Sequence, residues 1–285
     1  MSAAPPRLAQ PGPALLPRVM CRAARATALD FTLAPGLSLL EAVARPLQDA
    51  GFASAVLELQ GGGFGPFAYV LPAQATDAVH AAWYSAPHAP QGGAGLERAN
   101  ITFGQRDGAP WLHCHAIWQE PAGRRAGHVL PEETIVAAPI AARAWGLSGA
   151  GFAVARDAET NFALFQPLPM PMPGPAGGSR ALVLRVLPNE DVVAAITTAC
   201  REHGFAQAVL RGGVGSLVSP RFAEGTGTDD IATELLVTGG GVTPEGGTFA
   251  VALADMRGRV HAGRVVRGAN AVCITCELVL EELPD

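Results

Sequence analysis

The chain has 285 residues, 49% hydrophobic and 16% charged, with a formal net charge of −5 and a pI near 5.8. That length suits two domains with buried cores, and the apolar fraction excludes disorder of the whole chain despite 34 Gly and 24 Pro. All 20 basic residues are Arg, which excludes a Schiff-base lysine, pyridoxal chemistry and a lysine-bearing phosphate loop; the acidic balance argues against a dedicated nucleic-acid binder.

Residues 1–24 are punctuated by Pro5, Pro6, Pro11, Pro13 and Pro17 and read as a flexible arm without the apolar run of a secretory signal. No run reaches the eighteen or so apolar residues of a membrane helix. The five Cys have no framework spacing, so a reduced, cytoplasmic, membrane-free setting is expected. Ala28–Leu33 predicts a first strand. Ser38 and Glu41 have the spacing of a capping box and open a helix, Pro46 predicts a kink or a late start, and Gly51 supplies the stop. Ala53–Leu59 predicts a short apolar strand running into a glycine-rich turn at residues 61–65, and further strands are predicted at Pro110–Ile117, Thr134–Trp145 and Gly151–Arg156. Alternate prolines from Gln166 to Pro175, then Gly177 and Gly178, predict an extended spacer, so a linker is placed at 161–178.

The pattern then repeats. Gly51-Phe52-Ala53-Ser54-Ala55-Val56-Leu57 lies sixteen residues after Pro35, and Gly204-Phe205-Ala206-Gln207-Ala208-Val209-Leu210 lies sixteen after Pro188. Both then meet glycine-rich turns, the second at Gly212-Gly213-Val214-Gly215-Ser216, and Gly123–Val129 matches Gly258–Val265 further on. In the second copy Ala181–Leu187 predicts the first strand, Asp191 the cap and Gly204 the stop, with later strands at Glu234–Thr238, Thr248–Asp255 and Ala271–Glu281 read as counterparts of the three in copy one. The fold class is α+β: two tandem domains, 25–160 and 179–285, each a mostly antiparallel sheet packed with one main helix.

Chemistry concentrates at His113-Cys114-His115 and His128. On a strand, residues i and i+2 face the same way, and a hairpin would return His128 to that face. Three neutral imidazoles with a free fourth position suit a catalytic zinc, or another divalent first-row metal; the alternative is three half-buried core histidines bonded to backbone. Keeping the same span, Phe249, Val251 and Arg264 stand opposite His113, His115 and His128, so the second copy is expected to lack a metal site. Arg124, Arg125 and Arg264 are candidate charge partners for a small anionic substrate, and Glu120, Glu132 and Glu133 are candidate general bases. Trp111 and Trp118 flank the histidines and either wall a pocket or pack the sheet.

Each copy resembles the PPC domain, the plant and prokaryote conserved domain of plant AT-hook nuclear proteins. The resemblance rests on the strand, capped helix, Gly213-Val214-Gly215-Ser216, His113-Cys114-His115 and Ala126-Gly127-His128-Val129, and covers nearly the whole chain. Copy one departs from it with Gly63-Phe64-Gly65-Pro66. The resemblance implies an α+β fold, a homo-oligomer (trimeric in many members), and a metal at His113, His115 and His128. DNA binding in the plant members belongs to a separate AT-hook; Arg257-Gly258-Arg259-Val260 lacks its proline and reads as a turn. The expectation is a metal-binding protein, zinc first, acting as an enzyme on a small anionic molecule. A DNA-associated regulator and a ligand- or metal-binding module without turnover are the rivals.

Overall fold

The computed structural model describes residues 6–170, 177–225 and 227–284. Copy one runs β1 (Val19–Leu33), α1 (Leu39–Asp49), β2 (Ala55–Gln60), the short strands β3 (Gly63–Phe64), β4 (Tyr69–Val70), β5 (Pro72–Gln74) and β6 (Ala82–Tyr84), then β7 (Ala94–Arg106), β8 (Ala109–Glu120), β9 (Gly123–Val129), β10 (Val136–Ala138) and β11 (Ile140–Ser148), followed by the hairpin β12 (Ala150–Arg156) and β13 (Ala163–Pro169). Copy two is leaner: β14 (Ser179–Val186), α2 (Val192–Glu202), β15 (Ala208–Leu217), β16 (Glu234–Thr243), β17 (Gly246–Ala254), β18 (Val260–Arg264) and β19 (Val272–Glu282).

Strand pairing shows the duplication. In copy one the antiparallel order is β1, β11, β2, β7, β8, β9. In copy two it is β14, β19, β15, β16, β17, β18, the same path with corresponding strands. The copies are joined through their first strands, β1 pairing antiparallel with β14 from Val19↔Val186 to Ala26↔Ser179. Each helix covers one sheet face. Leu39, Val43 and Leu47 of α1 pack into a core with Leu57, Ile101 and Cys114, and Val192, Ile196 and Cys200 of α2 pack with Leu210, Val251 and Leu280.

Both helix starts obey their caps. Ser38 Oγ accepts from Glu41 N at 3.2 Å while Glu41 reaches back to Ser38, and Asp191 accepts from Ala194 N at 2.9 Å. The helix starts at Leu39 and runs through Pro46 unbroken. Gly51 and Gly204, at φ +83 and +69, follow the two helices in the left-handed region that a side chain disfavours.

Several strand assignments need correction. β1 begins at Val19, nine residues before the expected Ala28, because its first half has a partner in β14. The glycine run at 212–216 is not a turn: it lies inside β15, which absorbs it as irregular register against β19. Pro110–Ile117 corresponds to Thr248–Asp255, Thr134–Trp145 to Ala271–Glu281, and Glu234–Thr238 to the unforeseen β7, while β12 and β13 have no counterpart in copy two. The expected linker is partly strand, since residues 163–169 pair with β12; its centre, Pro171–Ala176, lies outside the described residues, as do residues 1–5 of the expected N-terminal arm. Residues 8–18 of that arm are tied down. Leu8 N donates to Asn189 Oδ1 at 2.9 Å, and Arg18 bonds Glu159 at 2.6 and 2.9 Å.

Candidate metal centre

Alternation on β8 divides its side chains between two environments. Leu112, Cys114, Ala116 and Trp118 point into the core beneath α1, which leaves His113 and His115 on the other face, turned toward copy two. His128 of β9 pairs directly with His115, so the hairpin closes the triad. Ring centroids lie 4.5 Å apart for His113 and His115, 4.9 Å for His113 and His128, and 5.3 Å for His115 and His128. Copy two adds Glu234, and one ligand atom from each of His113, His115, His128 and Glu234 lies within 4.8 Å of the others.

Hydrogen bonds around the rings orient them. His115 Nδ1 stands 2.7 Å from the Leu235 carbonyl, which can only accept, so this nitrogen carries hydrogen. His113 Nδ1 stands 3.2 and 3.1 Å from the two oxygens of Glu277, a carboxylate 1% exposed. Both Nε2 atoms therefore present lone pairs in the neutral rings, and they face each other at 2.9 Å, with Glu234 Oε2 2.6 Å from His115 Nε2. Buried His128 Nδ1 has no partner among the described residues. Converging lone pairs in a buried site call for a cation, and the donor set of three imidazoles and a carboxylate is one that a divalent first-row ion accepts. The carboxylate and carbonyl behind His113 and His115 are the usual support for metal-ligating histidines.

Electrostatics separate the three rings. For His113, burial opposes the protonated form, but Glu277 outweighs it and raises the pKa above the ordinary imidazole value. His128 is pushed well below that value, first by burial and then by His113 and His115. Tyr84 of β6 stands edge-on to His128, centroids 5.1 Å apart, and its phenol is pushed well above the usual value by burial and then by Glu234 and Glu277.

Two cavities meet at Tyr84 and His113. The smaller, about 30 Å³, extends past Ser216, Thr233, Glu234 and Thr275. The larger, about 160 Å³, is open toward His113 and His128 and is walled by Trp111, Leu130, Val154, Leu164 and Phe165, with Glu132, Glu133 and Glu277 on its lining.

Other sequence candidates are placed elsewhere. Arg124 forms a bidentate pair with Glu97, both bonds 2.7 Å; Arg125 donates to the Arg257 carbonyl at 2.8 Å; Arg264 pairs with Glu224 at 3.3 Å. None of the three lines either cavity at the histidines. Glu120 is buried and accepts from Trp118 Nε1 at 3.0 Å, away from the cluster, whereas Glu132 and Glu133 reach the larger cavity. Trp111 walls that cavity; Trp118 packs in the core against Phe67 and Tyr69.

The alignment of the second copy shifts by one residue on β17 and holds on β18. His115 pairs with Asn100 of β7 and His128 of β9, and the equivalent residue, Ala250, pairs with Gly239 of β16 and Arg264 of β18. Phe249 and Val251 point into the α2 core, as Leu112 and Cys114 do beneath α1. The counterparts of His113 and His115 are thus Thr248 and Ala250 rather than Phe249 and Val251, while Arg264 stands opposite His128 as expected. Copy two still offers no imidazole, thiolate or carboxylate at these positions.

Sequence reasoning missed Glu234 and Glu277. Each is a carboxylate within an apolar strand run, next to Leu235-Leu236-Val237 and Leu278-Val279-Leu280 respectively, and a charge so placed needs a partner. Pairing exposes the asymmetry between the copies: Gly95 and Ala141 hold the equivalent positions in copy one.

Residues 174–284 match the family model of the Plants and Prokaryotes Conserved (PCC) domain, the PPC domain. Residues 174–284 thus carry a PPC domain. Among solved structures, a PPC protein from Pyrococcus horikoshii is similar over 52% of this chain and 96% of its own, at 15% identity and a TM-score of 0.40. A metal-containing protein from Archaeoglobus fulgidus is similar over 50% and 94%, at 16% identity and a TM-score of 0.40. A candidate DNA-binding protein from Ralstonia eutropha covers 51% and 96%, at 14% identity and a TM-score of 0.36. No curated protein matches the chain. No helix among the described residues is long and apolar enough to cross a membrane.

Proposed function

We propose that this PPC-domain protein binds one divalent ion, zinc first, through His113, His115, His128 and Glu234, and acts as a metal-dependent enzyme on a small molecule. The convergence of imidazole lone pairs, with the His113 and His115 rings oriented from behind, carries the reading. Bound there, the ion would supply Lewis acidity or an activated water. The chain's own residues do the rest. Glu277 and the Leu235 carbonyl hold His113 and His115 with their Nε2 atoms inward. His128, kept neutral by burial and its neighbours, offers a lone pair at neutral pH. Glu234, at 2.6 Å from His115, is placed to hold a proton beside the cluster. Trp111, Leu130 and Phe165 restrict water at the cavity on the His113 and His128 side.

A second reading is favoured by one observation: Glu234 belongs to copy two, so an ion held by all four donors would fasten the copies together as a structural site. Elemental analysis of protein purified without chelator, beside His115→Ala, tests the shared claim. About one metal per chain is expected in the wild type and almost none in the variant; equal contents in both would overturn it. The visible spectrum of cobalt-substituted protein separates the two readings. A change on adding cyanide supports an open, catalytic site, and an unmoved spectrum supports the closed structural one.

A further inference from the structure

The larger cavity is lined in a way that a small anion would not select. It has three carboxylates, Glu132, Glu133 and Glu277, and Glu234 lies just beyond His113 and His115. No arginine stands on its lining. Arg106 stacks on the Trp111 ring at 5.0 Å and lines an adjoining groove that shares Trp111 and Glu132 with the cavity. Glu277 is engaged with His113, whereas Glu132 and Glu133 are exposed and make no ion pair among the described residues. The apolar part of the lining includes Trp111, Leu130, Leu164 and Phe165. A volume of about 160 Å³ is about five water molecules' share of liquid, which limits the occupant to a small body.

We infer that the cavity takes a small cationic amine with an apolar body, its ammonium held at the Glu132 and Glu133 mouth and its apolar part against Trp111 and Phe165. This deepens the metal reading by reversing the substrate charge that Arg124, Arg125 and Arg264 had suggested. Its chemistry is complementary on three counts. Two unpaired carboxylates attract a cation and repel an anion, the aromatic walls favour an apolar or cationic group, and a neutral donor atom on the same molecule can reach His113 and His128 without adding negative charge beside Glu234 and Glu277.

The test compares three probes of similar size, benzylamine, benzyl alcohol and benzoate, binding to the full zinc-loaded chain by calorimetry, with the double variant Glu132→Gln/Glu133→Gln alongside. Benzylamine is expected to bind more tightly than either other probe. The double variant should weaken benzylamine roughly three- to tenfold, the range for a partly exposed charge pair at each of two positions, and leave benzyl alcohol within about twofold. Benzoate binding as tightly as benzylamine, equal weakening of amine and alcohol, or no measurable binding of the amine would each overturn the inference. Zinc content measured on the same samples keeps the two claims apart. Loss of the metal reading with selective amine binding intact would leave the cavity's preference standing, and a loaded site that prefers benzoate would sink the preference alone.

Discussion

Glu277 illustrates how much a single buried carboxylate decides. It stands 3.1 Å from His113 Nδ1 and turns the opposite nitrogen toward His115. Replacing such a supporting acceptor leaves the ligands present but free to rotate, which ordinarily costs metal affinity by about 10- to 100-fold. Glu277→Gln is expected to fall in that range in a zinc competition titration with a chromophoric chelator. An unchanged affinity would mean that His113 is held by packing alone. Cys114, between the two histidines, was legible from alternation as a core residue, and it is fully buried beneath α1. Its thiol is driven up by burial beyond any useful reactivity. Alternation also put His113 and His115 on one face; it carried no information about what that face meets.

At the scale of elements, β15 explains why the copies can approach. Gly212 has φ +55, and a Cβ there would come within 3.2 Å of Val56 in β2 of the other copy. Gly213, at φ +116, would place a Cβ 2.9 Å from Leu278 and 3.0 Å from the Glu277 backbone oxygen. Its own carbonyl accepts from Asn100 Nδ2 of β7 at 3.0 Å, a direct bond across the copies. A side chain at Gly213 must therefore pay in backbone strain and in contact with the strand that carries Glu277. Gly213→Ala is expected to lose about 1–3 kcal/mol in denaturant unfolding; a loss below about 0.5 kcal/mol would show that β15 relaxes there without cost. The glycines were visible as a repeated cluster, but a turn and a bulged strand share that composition. Only the pairing with β19 distinguishes them. The capping box at Ser38 was legible for the opposite reason, since its donors and acceptors lie within four residues.

At the scale of the whole molecule, the hairpin β12–β13 is the clamp. Asp157, after β12, meets Arg185 of β14 at 2.6 Å, and both side chains are fully buried. Thr160 donates to Asp157 through N and Oγ1, each at 2.8 Å, and Arg185 Nε reaches Thr275 at 3.2 Å. Burial alone would raise the Asp157 pKa, but Arg185 and Thr160 overcome it and hold the group below the ordinary carboxylate value. The stability linked to this depressed pKa is thus complete above the unfolded value, about 3.9, and is lost as pH falls through the lower folded value. Asp157→Ala strands a buried guanidinium and is expected to cost about 3–5 kcal/mol in urea unfolding at neutral pH. The wild type should lose this margin only under strongly acid conditions, so a variant as stable as wild type at pH 7 would contradict the clamp.

The sequence by itself determined what local chemistry and self-comparison can reach. The duplication followed from a repeated motif at a fixed offset, the helices from caps and stops, the α+β class from short apolar strands around one helix, and the histidine face from a period of two. Tertiary structure decided whatever depends on partners distant in the chain. Glu234 lies 119 residues after His115 and Glu277 lies 164 after His113, and no periodicity links strands that meet only when two sheets pack. The same holds for the one-residue shift that sets Thr248 and Ala250 in the places of His113 and His115, because register is settled by hydrogen bonds between strands and by which face must be buried. It holds, too, for the charge of the cavity. Arginines close to the histidines in sequence turn to their own carboxylates, while four glutamates from two strands and one loop gather where the copies meet.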